Sequence, residues 1–424
     1  MKLAYFSPMP PAKTGIATYS WHLVRSLAKL TRITVFTPTT NAVPVEGVRT
    51  IDFAVDPHSL KLLDEYNQVL YHIGNNPWFH AEIWRAFRMR PGPVCLHDMV
   101  IYYLIAGFGR GELLKELLSS DPTQAFSIID EIERTSPDRN LLRYRTPSAH
   151  PCVHGLMQAA PQIIVHNHAS ARALAALGYA GRIDVVPILH YEEAPAPSPE
   201  QTQALRRELG FVPGDYVFGA FGFIGPTKRM DKVLDALAQL SRDSRSRPPR
   251  LLIVGEGEAL EEAIDSRGLR ELVTCTGFVS DDQFRRRLHA VDAVVNLRYP
   301  SHGESSATLV QAMSHGKACL VTDHGSFAEI PDGAVVKIPL GEDEVRALRD
   351  AMRSLAGDAR LANAVGAAAR AHVVSHHDPE SVARQFVSRL SATRSRMTTP
   401  VVDDEGDFQP ARYLAKRAKE LSSL

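Results

Sequence analysis

The feature that most constrains this chain is an alternation of short apolar runs with amphipathic segments, which stops once at a proline-rich break and then starts again. "KLAYFS" and "TRITVFTP" are apolar runs of strand length, and between them "GIATYSWHLVRSLAKL" sets Ile16, Tyr19, Leu23, Leu27 and Leu30 at helical spacing. Further strand-like runs follow at "QVLYHIG", "PVCLHD", "QIIVHN" and "IDVVPI". Apolar runs separated by helices predict a parallel sheet covered on both faces. Residues 100–160 read as a helical insertion punctuated by Pro122, Pro137, Pro147 and Pro151.

The break is "EEAPAPSPEQT", residues 192–202, where three prolines alternate with small and acidic residues as in an exposed linker. After it the pattern resumes with strands at "YVFGAFGF", "RLLIVGEG", "LVTCTGF", "DAVVNL", "ACLVTD" and "AVVKIP". Helices are predicted at "RMDKVLDALAQL", at "DDQFRRRLHAV" and from Ser305. A chain of 424 residues also exceeds what one core usually supports. The predicted architecture is α/β, with two doubly wound, Rossmann-like parallel-sheet domains facing across a cleft. The first spans 1–193, the linker 194–202 and the second 203–384, with C-terminal helices over 385–424 crossing back to the first domain. Ligands of open α/β sheets bind beyond the carboxyl ends of the strands, here inside the cleft.

Composition removes several function classes. Lys+Arg and Asp+Glu both total 48, so there is no basic excess of the kind a dominant nucleic-acid role needs. Cys95, Cys152, Cys275 and Cys319 are far apart and form no CxxC pair, which predicts buried free thiols in a reducing cytosol rather than a zinc site or disulfides. The N-terminal "MKLAYFSPMPP" reads as a first strand rather than a signal peptide. The longest apolar run, "MVIYYLIAGF" from Met99, is too short to span a bilayer, and a cytoplasmic protein is expected.

Five strand-end motifs bear on the chemistry, most of them with a plainer alternative. In "PPAKTGIATY", Gly15 opens a helix whose free N–H groups suit an anion, unless it is an ordinary strand-to-helix turn. In "FGFIGPTKRMD", Gly222 and Gly225 loosen a loop that ends in Lys228 and Arg229 at a helix start. Cations are disfavoured there unless an anion joins them, although a solvated pair would need none. In "VCLHDM", His97 and Asp98 stand at a strand end facing a cleft, or form a satisfied buried pair. His166 and His168 of "VHNH" have no acidic third ligand at metal spacing, and no metal is expected. Glu304, the lone acid of "RYPSHGESSATLVQAMSHGK", either caps the next helix or accepts hydrogen bonds from sugar hydroxyls.

Together these pieces, with "NNPWFH", "VGEG", "TGFVSDDQF" and above all "GESSATLVQAMSHGKACLVTDHGSFAEI", resemble the retaining glycosyltransferases of family four, which have the GT-B fold. The similarity covers most of residues 1–390, and "GNNP", "LHD", "GFIGPTKR" and "RYPSHGES" in that order are similar to a bacterial polysaccharide-assembly subgroup. The resemblance implies that Glu304 contacts donor-sugar hydroxyls and that Lys228 neutralises the donor diphosphate. It implies that His97 lies near the transferring sugar, with Gly15 and Gly225 in the loops at the phosphates. The segment Ser305, Ser306, Ala307 and Thr308 would run along the diphosphate and sugar, and the loop with Val279 would border the base.

Two departures stand out. Gln311 occupies the position of the second acid, which holds ribose hydroxyls in that family, and Phe223 that of an arginine, with Arg229 as the substitute cation. The implied activity is metal- and cofactor-independent hexosyl transfer from a nucleotide-diphosphate sugar to a glycan or lipid-linked glycan in polysaccharide biosynthesis. A nucleotide-sugar epimerase-like enzyme and a catalytically degenerate scaffold are the alternatives. The tail "RYLAKRAKELSSL" reads either as a peripheral helix at the inner membrane or as a helix packed on the first domain.

Overall fold

A computed structural model of the chain describes residues 1–191, 196–243, 247–257 and 259–393. Among the described residues, thirteen strands form two all-parallel sheets. The first contains β1 (Lys2–Phe6), β2 (Arg32–Thr37), β3 (Arg49–Asp52), β4 (Gln68–Ile73), β5 (Val94–Leu96), β6 (Gln162–Val165) and β7 (Arg182–Val185), in the order β3-β2-β1-β4-β5-β6-β7. The second contains β8 (Val217–Phe221), β9 (Arg250–Val254), β10 (Val273–Cys275), β11 (Ala293–Asn296), β12 (Ala318–Thr322) and β13 (Val336–Ile338), in the order β10-β9-β8-β11-β12-β13. Strand order reverses beside β1 and beside β8, which places both switch points at the facing strand ends.

Helices follow the amphipathic segments. The first domain carries α1 (Gly15–Ala28), α2 (Pro77–Met89), α3 (Tyr102–Ala106), α4 (Arg110–Ser120), α5 (Ala125–Thr135), α6 (His154–Ala159) and α7 (His168–Ala176). In α1 the buried face is Ala17, Tyr19, Ser20, Leu23, Val24 and Leu27. Ile16 is only partly covered, and the helix ends before Leu30, which is exposed. The chain then runs through α8 (Pro199–Glu208), α9 (Met230–Ser241), α10 (Leu260–Asp265), α11 (Asp281–Ala290), α12 (Ala307–Ser314), α13 (Glu344–Gly357), α14 (Ala359–His376) and α15 (Pro379–Ser391). Helix α8 begins inside the proline-rich segment: Ser198 accepts from the Gln201 N–H and the Gln201 side chain bonds the Ser198 N–H.

The two sheets share apolar core. One cluster runs from Tyr5 and Leu23 through Ile188 and Phe386 to Phe221 and Leu309. Helix α15 lies on the first domain, where Gln68 donates to the Leu390 carbonyl at 2.9 Å and Gln162 to that of Arg389 at 3.3 Å. The return crossing is pinned by the His190 N–H on the His377 carbonyl at 2.9 Å.

Two expectations are adjusted, the start of a helix and the burial of one cysteine. The helix expected from Ser305 starts at Ala307, and its N-cap is Ser306, whose Oγ accepts from the Leu309 N–H. Glu304 therefore does not cap it. Cys275 is only partly buried, unlike the other three free cysteines. No helix among the described residues is long and apolar enough to cross a membrane. The tail from residue 394 onward lies outside the described residues.

Candidate functional site

The strand ends of β8, β11 and β12 bring together residues distant in sequence. Gly222 follows β8 with φ +86°, and a Cβ there would lie 3.6 Å from Lys228 Nζ and 3.9 Å from Thr308 Oγ1, so these two polar tips converge over the β8 loop. Opposite, Gly255 approaches so closely that a Cβ would clash with the Gly222 carbonyl. Lys228 is buried and donates to the Phe221 carbonyl at 2.8 Å. Its pKa is lowered, first by burial and then by the nearby Arg298 guanidinium, while Glu304 pulls it back up.

Arg298 leaves the end of β11, and its Nε lies 3.5 Å from Glu304 Oε1, with both side chains less than one-fifth exposed. That Nε is buried without a hydrogen-bond partner. The other Glu304 oxygen accepts from the His302 N–H at 2.6 Å, and the Glu304 carbonyl accepts from Ser326 Oγ at 2.8 Å. Two buried cations thus flank one fixed carboxylate.

Arg229 stands elsewhere. In the left-handed region at the start of α9, its guanidinium is bonded to the buried Glu344 and lies over the Tyr299 ring. Phe223 is 71% exposed and projects from the loop, with Gly225 beneath its ring. Arg298 is therefore the second cation beside Lys228. Its only sequence signal was being the first residue of "RYPSHGES".

The first domain meets this group through the β5 end. The Met99 N–H bonds the His302 carbonyl at 2.6 Å, and the Gly303 carbonyl accepts from Asn167 Nδ2 at 3.0 Å and Ser170 Oγ at 2.8 Å. Asn167 Nδ2 also bonds Ser305 Oγ. Asp98 is partly buried, within electrostatic reach of Glu304. Burial and then the Glu304 charge push its pKa up to about 7, against the Asn75 N–H that donates to Oδ2 at 3.0 Å.

His97 faces the opposite way, into a chain of imidazoles. His166 Nδ1 lies 2.9 Å from the Val186 carbonyl, which can only accept, so Nδ1 carries the proton and Nε2 is an acceptor. His97 Nδ1 then donates to that Nε2 at 3.3 Å, and His97 Nε2 accepts from His72 Nδ1 at 2.9 Å. His72 Nε2 is left buried with no partner. Burial lowers the pKa of all three rings, which keeps them neutral. His72, Cys95 and His97 also bring metal-type donor atoms within 4.8 Å of one another, but the ring nitrogens on the facing sides are occupied by these hydrogen bonds. Any contact of His97 with a sugar would need one of them exchanged.

The remaining candidates are spread over α1, the loop before α11 and the start of α12. Gly15 is exposed at the first turn of α1 with open space about it. Across from it Thr18 Oγ1 reaches Asp281 at 3.4 Å, and Lys13 Nζ lies over the Phe278 ring. Val279 follows Phe278 and packs against the shared core. Ser305, Ser306, Ala307 and Thr308 run from the loop into α12. Gln311 is buried, its Oε1 accepting from the Tyr191 N–H at 3.3 Å and its Nε2 without a partner.

Comparison with known proteins fits this arrangement. Residues 201–372 match the family described as Glycosyl transferases group 1. The D-inositol 3-phosphate glycosyltransferase of Nocardia farcinica is 28% identical over 254 residues, an alignment covering 55% of this chain and 54% of that protein. The chain thus spans about half the length of the curated relative it matches. Anabaena Alr3699/HepE, solved with UDP and glucose, superposes with a TM-score of 0.63 at 19% identity, over 93% of this chain and all of that one. Sucrose-phosphate synthase from Thermosynechococcus elongatus gives 0.65 at 16% identity, over 93% of this chain and 100% of that one. The chain has the GT-B fold, and its second domain carries the Glycosyl transferases group 1 match.

Proposed function

We propose that the chain is a glycosyltransferase that moves a sugar from a nucleoside-diphosphate sugar to a glycan or lipid-linked glycan acceptor, with retention at the anomeric carbon, in polysaccharide assembly. The observation that carries this reading is the buried pair Lys228 and Arg298 set against Glu304. Burial and mutual repulsion disfavour the charged forms of both groups, and a bound diphosphate would supply the negative charge that restores them. As the sugar–phosphate bond breaks, negative charge grows on the leaving diphosphate. Fixed cations and the amides opening α12 stabilise that charge without reorganising.

Glu304 is held on its loop by His302 and Arg298, so it can accept hydroxyl hydrogens while the ring gains positive character. Gln311 Nε2, buried with no hydrogen-bond partner among the described residues, is the donor that would turn to a ribose oxygen. In this reading Lys228 and Arg298 supply the charge that a metal clamp supplies elsewhere, the reaction needs no cofactor, and the enzyme works in the cytoplasm.

Calorimetric titration with UDP, GDP and ADP is the test, followed by assay of nucleoside-diphosphate release from the corresponding sugars and of the product's anomeric configuration by NMR. At least one nucleotide should bind wild type, and Lys228→Ala should weaken it by about 1.5–3 kcal/mol. If no nucleoside diphosphate binds, the proposal fails.

A further inference from the structure

We propose that the cavity between the β4–α2 turn and α3 binds an uncharged sugar ring of the acceptor, an inference that rests on the transferase reading above. The cavity holds about 240 Å³ and is lined by Asn75, Asn76, Pro77, Trp78, Tyr103 and Leu142. Local structure dictates how these side chains are presented. Asn76 caps α2 by accepting from the Trp78 N–H at 2.9 Å, and Pro77 takes the first helical position. Trp78 is thereby set on the first turn, 42% exposed. Asn75 Oδ1 accepts from the Tyr103 N–H at 2.8 Å, which leaves its NH₂ group to donate at the cavity wall.

The lining decides the chemical class. An indole and a phenol ring give the cavity wall apolar surface suited to sugar C–H groups, and two carboxamides give it hydrogen-bonding groups suited to hydroxyls. None of the six lining residues is charged, so a phosphate would meet no cation there. An acyl chain would strip water from the amides with no bond in return. A neutral polyol ring satisfies both halves of the wall.

Position decides its role. The backbone N–H of Asn75 is bonded to Asp98, and Asp98 is within electrostatic reach of Glu304 and Arg298. The cavity therefore stands one residue from the group assigned to the transferring sugar. Asn75 and Trp78 act as binding residues, and Asp98 as a positioning residue that holds the turn.

Saturation-transfer NMR on the full chain tests this with a panel of methyl pyranosides (glucoside, galactoside, mannoside and N-acetylglucosaminide), each with and without saturating UDP. At least one should bind, resist displacement by UDP, and lose roughly three- to ten-fold in affinity in Trp78→Ala, with recovery in Trp78→Phe. The proposal is overturned if no pyranoside binds, if UDP displaces it, if Trp78→Ala binds as wild type does, or if glucose 6-phosphate binds better than the neutral glucoside. UDP titrated into the same samples reports separately on the donor reading. A pyranoside that follows Trp78 in a protein that ignores UDP would refute the transferase and leave the sugar site standing.

Discussion

Arg298 Nε lies 3.5 Å from Glu304 Oε1, and that nitrogen finds no hydrogen-bond partner among the described residues. An ion pair that leaves a buried donor unused is unfinished chemistry, and the missing partner fits an anion. Arg298→Ala should therefore weaken a nucleoside diphosphate by roughly ten- to hundred-fold while weakening the monophosphate much less. Arg298→Lys keeps charge but not the planar fork, and should fall between. Equal losses for UDP and UMP would move Arg298 away from the terminal phosphate.

Glu304 tests a different atom of the donor. With the capping duty held by Ser306, removing the Glu304 charge should cost little helix stability. Glu304→Gln should lower turnover far more than it weakens free UDP, because UDP lacks the sugar. Its melting temperature should stay within a few degrees of wild type. Normal turnover in a protein that melts earlier would reduce Glu304 to a partner for Arg298 and His302.

Much of this architecture was legible in the chain. The twelve apolar runs picked out by their alternation with helices all became strands, because a parallel sheet covered on both faces demands continuous apolar sequence. The strand that escaped, β3, is the partly exposed edge "RTID", which carries almost no apolar signal. The site was less legible. His97 and Asp98 were placed together at one strand end, but only the fold shows the imidazole turning into a histidine chain and the carboxyl within electrostatic reach of Glu304. Arg298 and Lys228 belong to different loops, and nothing in spacing announces that β8 and β11 are neighbours.

Asp98 makes the pH dependence of stability specific. An acid held at about 7 in the folded protein and near its usual value when unfolded binds its proton preferentially in the folded state. That contribution is present at low pH and is lost as pH rises from about 4 through about 7. Asp98→Asn keeps an acceptor for the Asn75 N–H and carries no charge. Its advantage over wild type should therefore be absent near about pH 4 and grow to the order of 2–4 kcal/mol by about pH 8. Asp98 is not among the groups that shift the buried histidines, so their titration should cancel in the difference. A difference in melting temperature that is flat with pH would contradict the raised pKa.

The last prediction concerns the strap that carries Glu304. Gly303 has φ +80°, and a Cβ there would lie 2.4 Å from Met99 Cγ and 2.9 Å from Ser170 Oγ. Alanine at this position meets two separate obstacles, a left-handed backbone costing roughly 1–2 kcal/mol and a collision with the facing domain. The first weakens the loop wherever it sits, while the second pushes it, with Glu304, away from the β5 end. Gly303→Ala should thus lower both melting temperature and turnover. Met99 Cβ would also lie only 2.6 Å away, so adding Met99→Gly, which removes both Met99 atoms, relieves the collision with that residue and leaves residue 303 in its left-handed conformation. If loop position governs activity, the double variant should regain most of the turnover while its melting temperature stays depressed. Turnover that remains low in the double variant would show that backbone strain, and not the contact with Met99, sets the place of Glu304.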